Sequence, residues 1–411
     1  MKSFMRRRTL VAAMAVAGLL VGAVGSSAGA RQSQSAPLKG VGKGLKIIGN
    51  VGYSSGSDME FATIKGRDYA FAGSFAPLKD GGGLHVIDIT NPEKVKEVAW
   101  LKCTVYQSDI QISHDQKTLL MGADSAGGPE ACLATGKAGF MTVDITNPKA
   151  PKAIGMATIA RGSHNITAHP SKPYVYNSDS DLGRLGQIEI WSIKNPAKPT
   201  LVNTVPTIGG SPHDISFDKK GNRIVTAGID NVEIFDTTDP ENPSLKMTFQ
   251  CPGCSITHDA KFTPDDKGLV IGDEGGGGGT YPCPGGALYF YRLEADFVPV
   301  LTGIYEPGEV VIAGLGSGSQ GGPGGCTSHV FDFDDKGEHI SISWYTAGTR
   351  YLRIGDRTGA AFGERNAGNI VEAGWFRPDG GSSWSSKIYK DPKYIFSNDI
   401  QRGFDVFKVE G

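Results

Sequence analysis

Four of the eight histidines in this 411-residue chain, His164, His213, His258 and His329, each open a short run in which apolar and polar residues alternate. Imidazole is the commonest neutral ligand for zinc, copper, iron and nickel, and four imidazoles converging on one point would hold a metal with coordination positions to spare. A spare position is what distinguishes a catalytic metal from a structural one. Copper or iron would serve an oxidase or oxygenase; zinc is the third ion that such donors accept. The four can converge only if the runs they open are equivalent strands of a repeating fold.

Four segments supply that repeat: Leu84 to Pro92, Phe140 to Pro148, Ile188 to Pro196 and Val232 to Pro240. Each is an alternating strand followed by an Asn-Pro or Asp-Pro turn, and the proline ends the strand because it has no N–H for the ladder. Three further strands, Leu288 to Tyr291, Tyr351 to Ile354 and Phe404 to Phe407, occupy the same slot and bring the units to seven. Earlier strand pairs, such as Asp109 to Ile112 with Thr118 to Met121, complete units of about four short strands, which is the pattern of propeller blades. The prediction is an all-β, seven-bladed β-propeller occupying 45–411 as one domain. The last unit lacks an outer strand, while Leu45 to Gly49 stands unassigned before the first. Together they are expected to complete one blade, so that the N-terminal strand of the mature chain closes the ring and removes its free edges.

In these segments, and in Ser343 to Gly348 and Asn398 to Val406, the sequence resembles the exported LVIVD-repeat β-propellers. Leu84 to Asp88 and its three close copies carry the likeness, which extends over nearly all of the mature chain. The resemblance implies the fold and leaves the activity open, because one fold hosts many chemistries.

The innermost strand of a blade lines the central channel, so the residue that opens it lies at one mouth. These openings align as Ser57-Asp58, Ser108-Asp109, His164-Asn165, His213-Asp214, His258-Asp259, His329-Val330 and a less regular Trp384-Ser385. Four consecutive blades thus place histidine in one column. Asp58, Asp109, Asp214 and Asp259 are candidates to hold the second ring nitrogen of a ligating imidazole. In a strand, however, adjacent residues face opposite ways, which favours bonds to neighbouring blades instead. A structural reading of the histidines has each imidazole bonded to a backbone carbonyl of the next blade. His85, His114, His169 and His339 lie outside the column and read as ordinary packing or surface residues. By architecture such a site is similar to the carotenoid-cleaving oxygenases and the selenium-binding/methanethiol oxidase proteins, although their motifs are not matched.

Residues 1–30 combine Lys2, Arg6, Arg7 and Arg8 with an apolar stretch from Leu10 to Val24 and end in Ala28-Gly29-Ala30, the pattern of a cleavable signal peptide. Export by the Sec or twin-arginine route is expected, with a flexible segment over 31–44 and no membrane span after cleavage. The formal charge of -2 offers no electrostatic footprint for nucleic acid. In an exported chain the six cysteines are expected as three disulfides, for which fifteen pairings are open. The set that would staple neighbouring loops is Cys103 with Cys132, Cys283 with Cys326, and Cys251 with Cys254.

Topology puts all six cysteines and the long Gly-rich inserts on the face that carries the histidine column, as a pocket rim would require. No H-E-x-x-H or P-loop motif is present, and the polyglycine Gly275 to Gly279 lacks the strand-turn-helix setting of a dinucleotide site. Trp344, Tyr345, Trp375, Phe376 and Trp384 read as core aromatics. The expectation is a monomeric, secreted metalloprotein that takes a small-molecule substrate or extracellular ligand on its histidine-bearing face. A secreted binding scaffold whose histidines do no chemistry is the alternative.

Overall fold

The computed structural model describes residues 35–75, 82–178, 186–208, 210, 212–275, 285–308, 325–355 and 369–410. The repeated turn forms because side chains replace the interrupted ladder. Asp88 and Asp144 accept from the N–H of Thr90 and Thr146 at 3.1 and 2.9 Å. Three residues on, Asn91 and Asn147 accept from Glu93 and Lys149 at 3.0 and 3.2 Å. Such Asx turns satisfy the backbone while the following proline forbids another ladder bond.

Seven antiparallel sheets follow from seven such repeats, six of four strands and one of five. The second blade runs outward from the channel as Gln107–Ile112, Thr118–Ala123, Gly139–Asp144 and Lys152–Thr158. In every blade a bulge interrupts the pairing of the third and fourth strands, for example between Val86 and Ile87 in the first and between Ile190 and Trp191 in the third. A bulge sharpens the local twist, as a propeller blade requires. The core lies between blades: Phe71, Leu84 and Val86 of the first pack with Leu119, Met121 and Met141 of the second.

Leu45–Gly52 pairs with Gly403–Val409 as the outermost strand of the last blade, so the N-terminal strand closes the ring as the sequence predicts. The segment preceding it departs from expectation. Gly40–Lys43, inside the stretch expected to be flexible, pairs antiparallel with Ile370–Pro378 as a fifth strand on the sixth blade. The exposed edge of that blade offers a row of unpaired backbone groups, and these hold a strand whose own glycine-rich sequence signals nothing.

Cys103 is bonded to Cys132, and Cys251 to Cys254. Cys326 is disulfide-bonded as well, while Cys283, its expected partner, lies outside the described residues. The first bond ties the exit of the first blade to the insert of the second across 29 residues. Chain entropy alone assigns such a loop about 3–4 kcal/mol. A Cys103→Ala/Cys132→Ala variant is therefore expected to lose about that much in chemical denaturation, and an unchanged midpoint would refute the expectation. Among the described residues no helix is long and apolar enough to cross a membrane.

Candidate metal centre

The innermost strands bring the four column histidines into one arc at a channel mouth. Successive ring centroids are 4.5 Å apart from His164 to His213, 4.1 Å to His258 and 4.2 Å to His329. Backbone carbonyls of the next blade set two of the tautomers. His213 Nδ1 donates to the carbonyl of His258 at 3.1 Å, and His329 Nδ1 donates to that of Trp384 at 2.6 Å. With Nδ1 carrying the proton, the lone pair of each neutral ring is on Nε2. His213 Nε2 lies 3.0 Å from His164 Nε2.

A carboxylate missing from the sequence-based set joins them. Glu274 Oε2 stands 3.9 Å from His258 Nε2, and its Oε1 stands 4.0 Å from His329 Nε2. Ligand atoms of His213, His258 and Glu274 all lie within 4.8 Å of one another. Asp273, the preceding residue, aims Glu274 by accepting from the N–H groups of Ser255, Ile256 and Gly275 at 2.8, 2.9 and 3.0 Å. The arrangement is thus a mixed nitrogen and oxygen cluster, with His164 and His329 at its ends, rather than four imidazoles alone. Glu274 is the acid that precedes the glycine run, and only its place in an insert on the histidine face marked it.

Burial decides the charge of the cluster. It pushes His213 and His258 well below the ordinary imidazole range, with repulsion between neighbouring histidines adding to the effect, and takes His329 down to about 4. Burial also pushes Glu274 up to about 7, against the hydrogen bond from Tyr345. The rings of this trio are therefore neutral near pH 7, the state in which imidazole binds a metal. The buried Nδ1 of His258 has no hydrogen-bond partner among the described residues.

Tyr345 donates to Glu274 Oε1 at 2.7 Å and packs 4.7 Å from the His329 ring. Its φ of 44° puts a bulky residue in the left-handed region, a strain that persists where the surroundings impose it and that clusters at functional sites. Gln107 and Ser108, at φ 69° and 58°, are strained likewise, and Gln107 Nε2 reaches His164 Nε2 at 2.9 Å. Trp344 and Phe376 are core residues as expected. Tyr345 and Trp384 instead border the cluster, with Trp384 4.5 Å from His329.

The four aspartates do not touch the imidazoles. Asp109 accepts from the Ile166 N–H at 2.7 Å and Asp259 from Phe331 at 3.4 Å, both bonds to the next blade. Asp58 pairs with Lys387 at 3.2 Å, and Asp214 accepts from the Ile215 N–H. The bonds of Asp109 and Asp259 run to neighbouring blades as the alternation argument favours, while Asp58, Asp109 and Asp214 also line the channel that the histidines line. Register shifts at the start of the inner strands, between Gly56 and Met59 and between Gln107 and Ile110, break the strict alternation there. Below them Lys261, Asp332 and Lys387 continue the lining of a cavity of about 660 Å³. Burial raises Asp109 and Asp214 well above the carboxylate range, and neighbouring carboxylates add to it.

Asp334, Glu338 and His339 also bring ligand atoms within 4.8 Å. Asp334, however, accepts from the N–H groups of Glu338 and His339 and from His339 Nδ1 at 2.8 Å. The fourth blade builds the same turn with Asp218, which accepts from Asn222, from Arg223 and from the Arg223 side chain at 2.8 Å. A guanidinium in the place of the imidazole marks the pair as a turn cap. His85 is buried between Ser74 and Glu97, at 3.0 and 2.7 Å, and stacked on Tyr53.

His169 is buried too, and its Nδ1 accepts from the N–H groups of Ser171 and Lys172 at 3.1 and 3.2 Å. Burial, with Lys172 nearby, lowers it from 6.5 to about 4. The unfolded chain therefore takes up a proton at this site between pH 6.5 and 4 that the native chain refuses. Stability is full above that window and falls as the pH drops through it, by roughly 2–3 kcal/mol. His169→Asn, which keeps an acceptor without the titration, is expected to flatten that part of a stability-against-pH curve.

The LVIVD-repeat family model matches residues 128–158, which hold the third and fourth strands of the second blade and the turn between them. The chain is a seven-bladed β-propeller that carries an LVIVD repeat in its second blade. No curated protein matches this propeller significantly. Among solved structures, the Cps50 (Swd1) β-propeller domain of Myceliophteria thermophila is 11% identical, with 89% of this chain and 100% of that chain covered at a TM-score of 0.63. The periplasmic gluconolactonase of Pseudomonas aeruginosa is 12% identical, covering 78% and 85% at a TM-score of 0.56. A functionally unknown protein from Desulfotomaculum acetoxidans is 14% identical, covering 77% and 88% at 0.53. At such identities the likeness shows a shared fold and nothing more specific.

Proposed function

We propose that this propeller is an exported metalloprotein that binds one transition-metal ion at the histidine-bearing mouth and uses it to oxidise a small molecule. One geometric fit carries the reading. Two ligand atoms bonded to one ion at about 2.0–2.1 Å stand no more than about 4.1 Å apart. The separations of 3.0, 3.9 and 4.0 Å between His164 and His213, His258 and Glu274, and His329 and Glu274 all fall inside that limit. His213, His258 and Glu274, whose ligand atoms all lie within 4.8 Å of one another, would be the primary ligands. Two imidazoles and one carboxylate suit iron, and an iron-dependent oxidase or oxygenase follows more directly than a copper enzyme; zinc would make the site hydrolytic instead. When bound, the ion would supply Lewis acidity and a redox couple beside the channel.

The residues around it have assignable tasks. The carbonyls of His258 and Trp384 fix the lone pairs toward the site, Tyr345 holds Glu274, and the crosslinked loops restrict access. The disulfides support an oxidising compartment, in keeping with the signal-like N-terminus. A binding scaffold is the second reading, favoured by the carbonyl bonds of His213 and His329, which a purely structural repeat would also make.

Elemental analysis of untagged protein purified without chelators separates the two. About one equivalent of iron or copper in the native chain, lost when all four histidines become glutamine, is expected. Less than about 0.3 equivalent in the native chain after reconstitution would leave the scaffold.

A further inference from the structure

The mouth has two chemically distinct halves. The third to sixth blades supply the imidazoles, while the seventh, first and second supply Trp384, Phe75 and Tyr106. Phe75 lies 5.4 Å from Trp384 and 6.3 Å from Tyr106, and Trp384 lies 4.5 Å from His329, so the rings run without a break from the cluster to the surface. Tyr106 is 49% exposed at the outer end. Two left-handed residues that are not glycine, Gln107 and Ser108, follow it directly, and the Tyr106 carbonyl accepts from the N–H groups of Ser108 and Asp124 at 3.0 and 3.2 Å. A half-exposed ring held by strained backbone, in ring contact through Phe75 with the border of the histidine cluster, is not explained by core packing.

We propose that this aromatic half is the binding platform for the substrate, and that the substrate is a phenol-class molecule, a planar aromatic ring bearing a hydroxyl. The assignment of its hydroxyl end rests on the metal-site reading above. A planar ring gains stacking and edge contacts on Phe75, Tyr106 and Trp384 that a saturated ring of equal size does not. The hydroxyl then faces the imidazole half, where Gln107, Glu274 and a bound ion are the polar partners. Of the platform only Trp384, with the neighbouring Gln107, lines the cavity of about 660 Å³, a volume in the range that takes a substituted ring.

Calorimetric titration of the full-length protein with catechol and with cyclohexane-1,2-diol tests the platform, since the two share hydroxyl groups and differ in planarity and π-character. Catechol is expected to bind at least tenfold more tightly, in metal-free and metal-loaded protein alike, and Tyr106→Ala and Phe75→Leu are each expected to weaken it at least fivefold. Trp384→Phe is expected to retain most of the affinity, which guards against reading a folding defect as lost binding. Equal affinity for the two diols, or catechol affinity within twofold of native in Tyr106→Ala, would overturn the proposal. Metal content is read separately on the same samples: ring preference without metal uptake upholds the platform and refutes the metal centre, whereas metal uptake without ring preference does the reverse.

Discussion

Glu274→Gln is expected to weaken metal binding on the order of a hundredfold or more while leaving the fold intact. Glu274 is the only carboxylate in the cluster that carries it, and the imidazoles beside it are neutral by burial. The Glu274 carboxylate is thus the group in that trio that can offset the charge of a buried cation, with Asp124 farther out at 3.3 Å from His164 Nδ1, and transferring a cation from water without an anion is costly. The amide has the same shape and keeps an oxygen to accept from Tyr345, so structural disturbance is small. Competition with a chromophoric chelator gives the affinity, and circular dichroism gives the fold. An affinity within threefold of native would remove Glu274 from the ligand set. A substitution at a supporting position commonly costs 10–100-fold, so the size of the loss also distinguishes a ligand from a neighbour.

Asp405→Ala is expected to cost about 3–5 kcal/mol, the largest stability effect of any single substitution considered. Asp405 and Arg402 are 1% and 4% exposed. Arg402 donates to both carboxylate oxygens of Asp405, from Nε at 2.8 Å and from an Nη at 3.0 Å. Asn50, on the closing N-terminal strand, donates to Asp405 at 2.7 Å and to the Arg402 carbonyl at 3.2 Å. Removing the carboxylate leaves a buried guanidinium without its counter-ion and cuts the link between the two ends of the ring. Asp405→Asn, which keeps an acceptor but not the charge, is expected to fall between alanine and native in urea denaturation. A loss under 1 kcal/mol for the alanine variant would mean that ladder pairing alone closes the ring.

Much of the architecture was legible because a propeller repeats its instructions. The alternation and the Asp-x-Thr-Asn-Pro turn recur, and each copy reads locally: strand by period, turn by Asx chemistry, stop by proline. Leu45 to Gly49 was legible as the missing strand for the same reason. Gly40–Lys43 was not, because its pairing is dictated by the edge of a blade more than 300 residues away in the chain and by no pattern of its own. The aspartates show a subtler limit, since a register shift of one residue sets which way a side chain faces and depends on pairing between strands, not on alternation within one.

The chain alone determined that seven similar units would form, that they would close on themselves, and that four histidines would come to one mouth, since equivalent positions in equivalent strands must share a radius and a height. Only the tertiary structure decided what those histidines meet. Glu274 and Tyr345 come from different blades, and loop placement across the ring, not spacing along the sequence, sets the 2.7 Å bond between them and the distances of 3.9 and 4.0 Å from Glu274 to His258 and His329. A periodic sequence fixes radial position. The contacts within and between neighbouring blades at that mouth depend on how non-repeating loops fold over the opening, and nothing in the repeat encodes them.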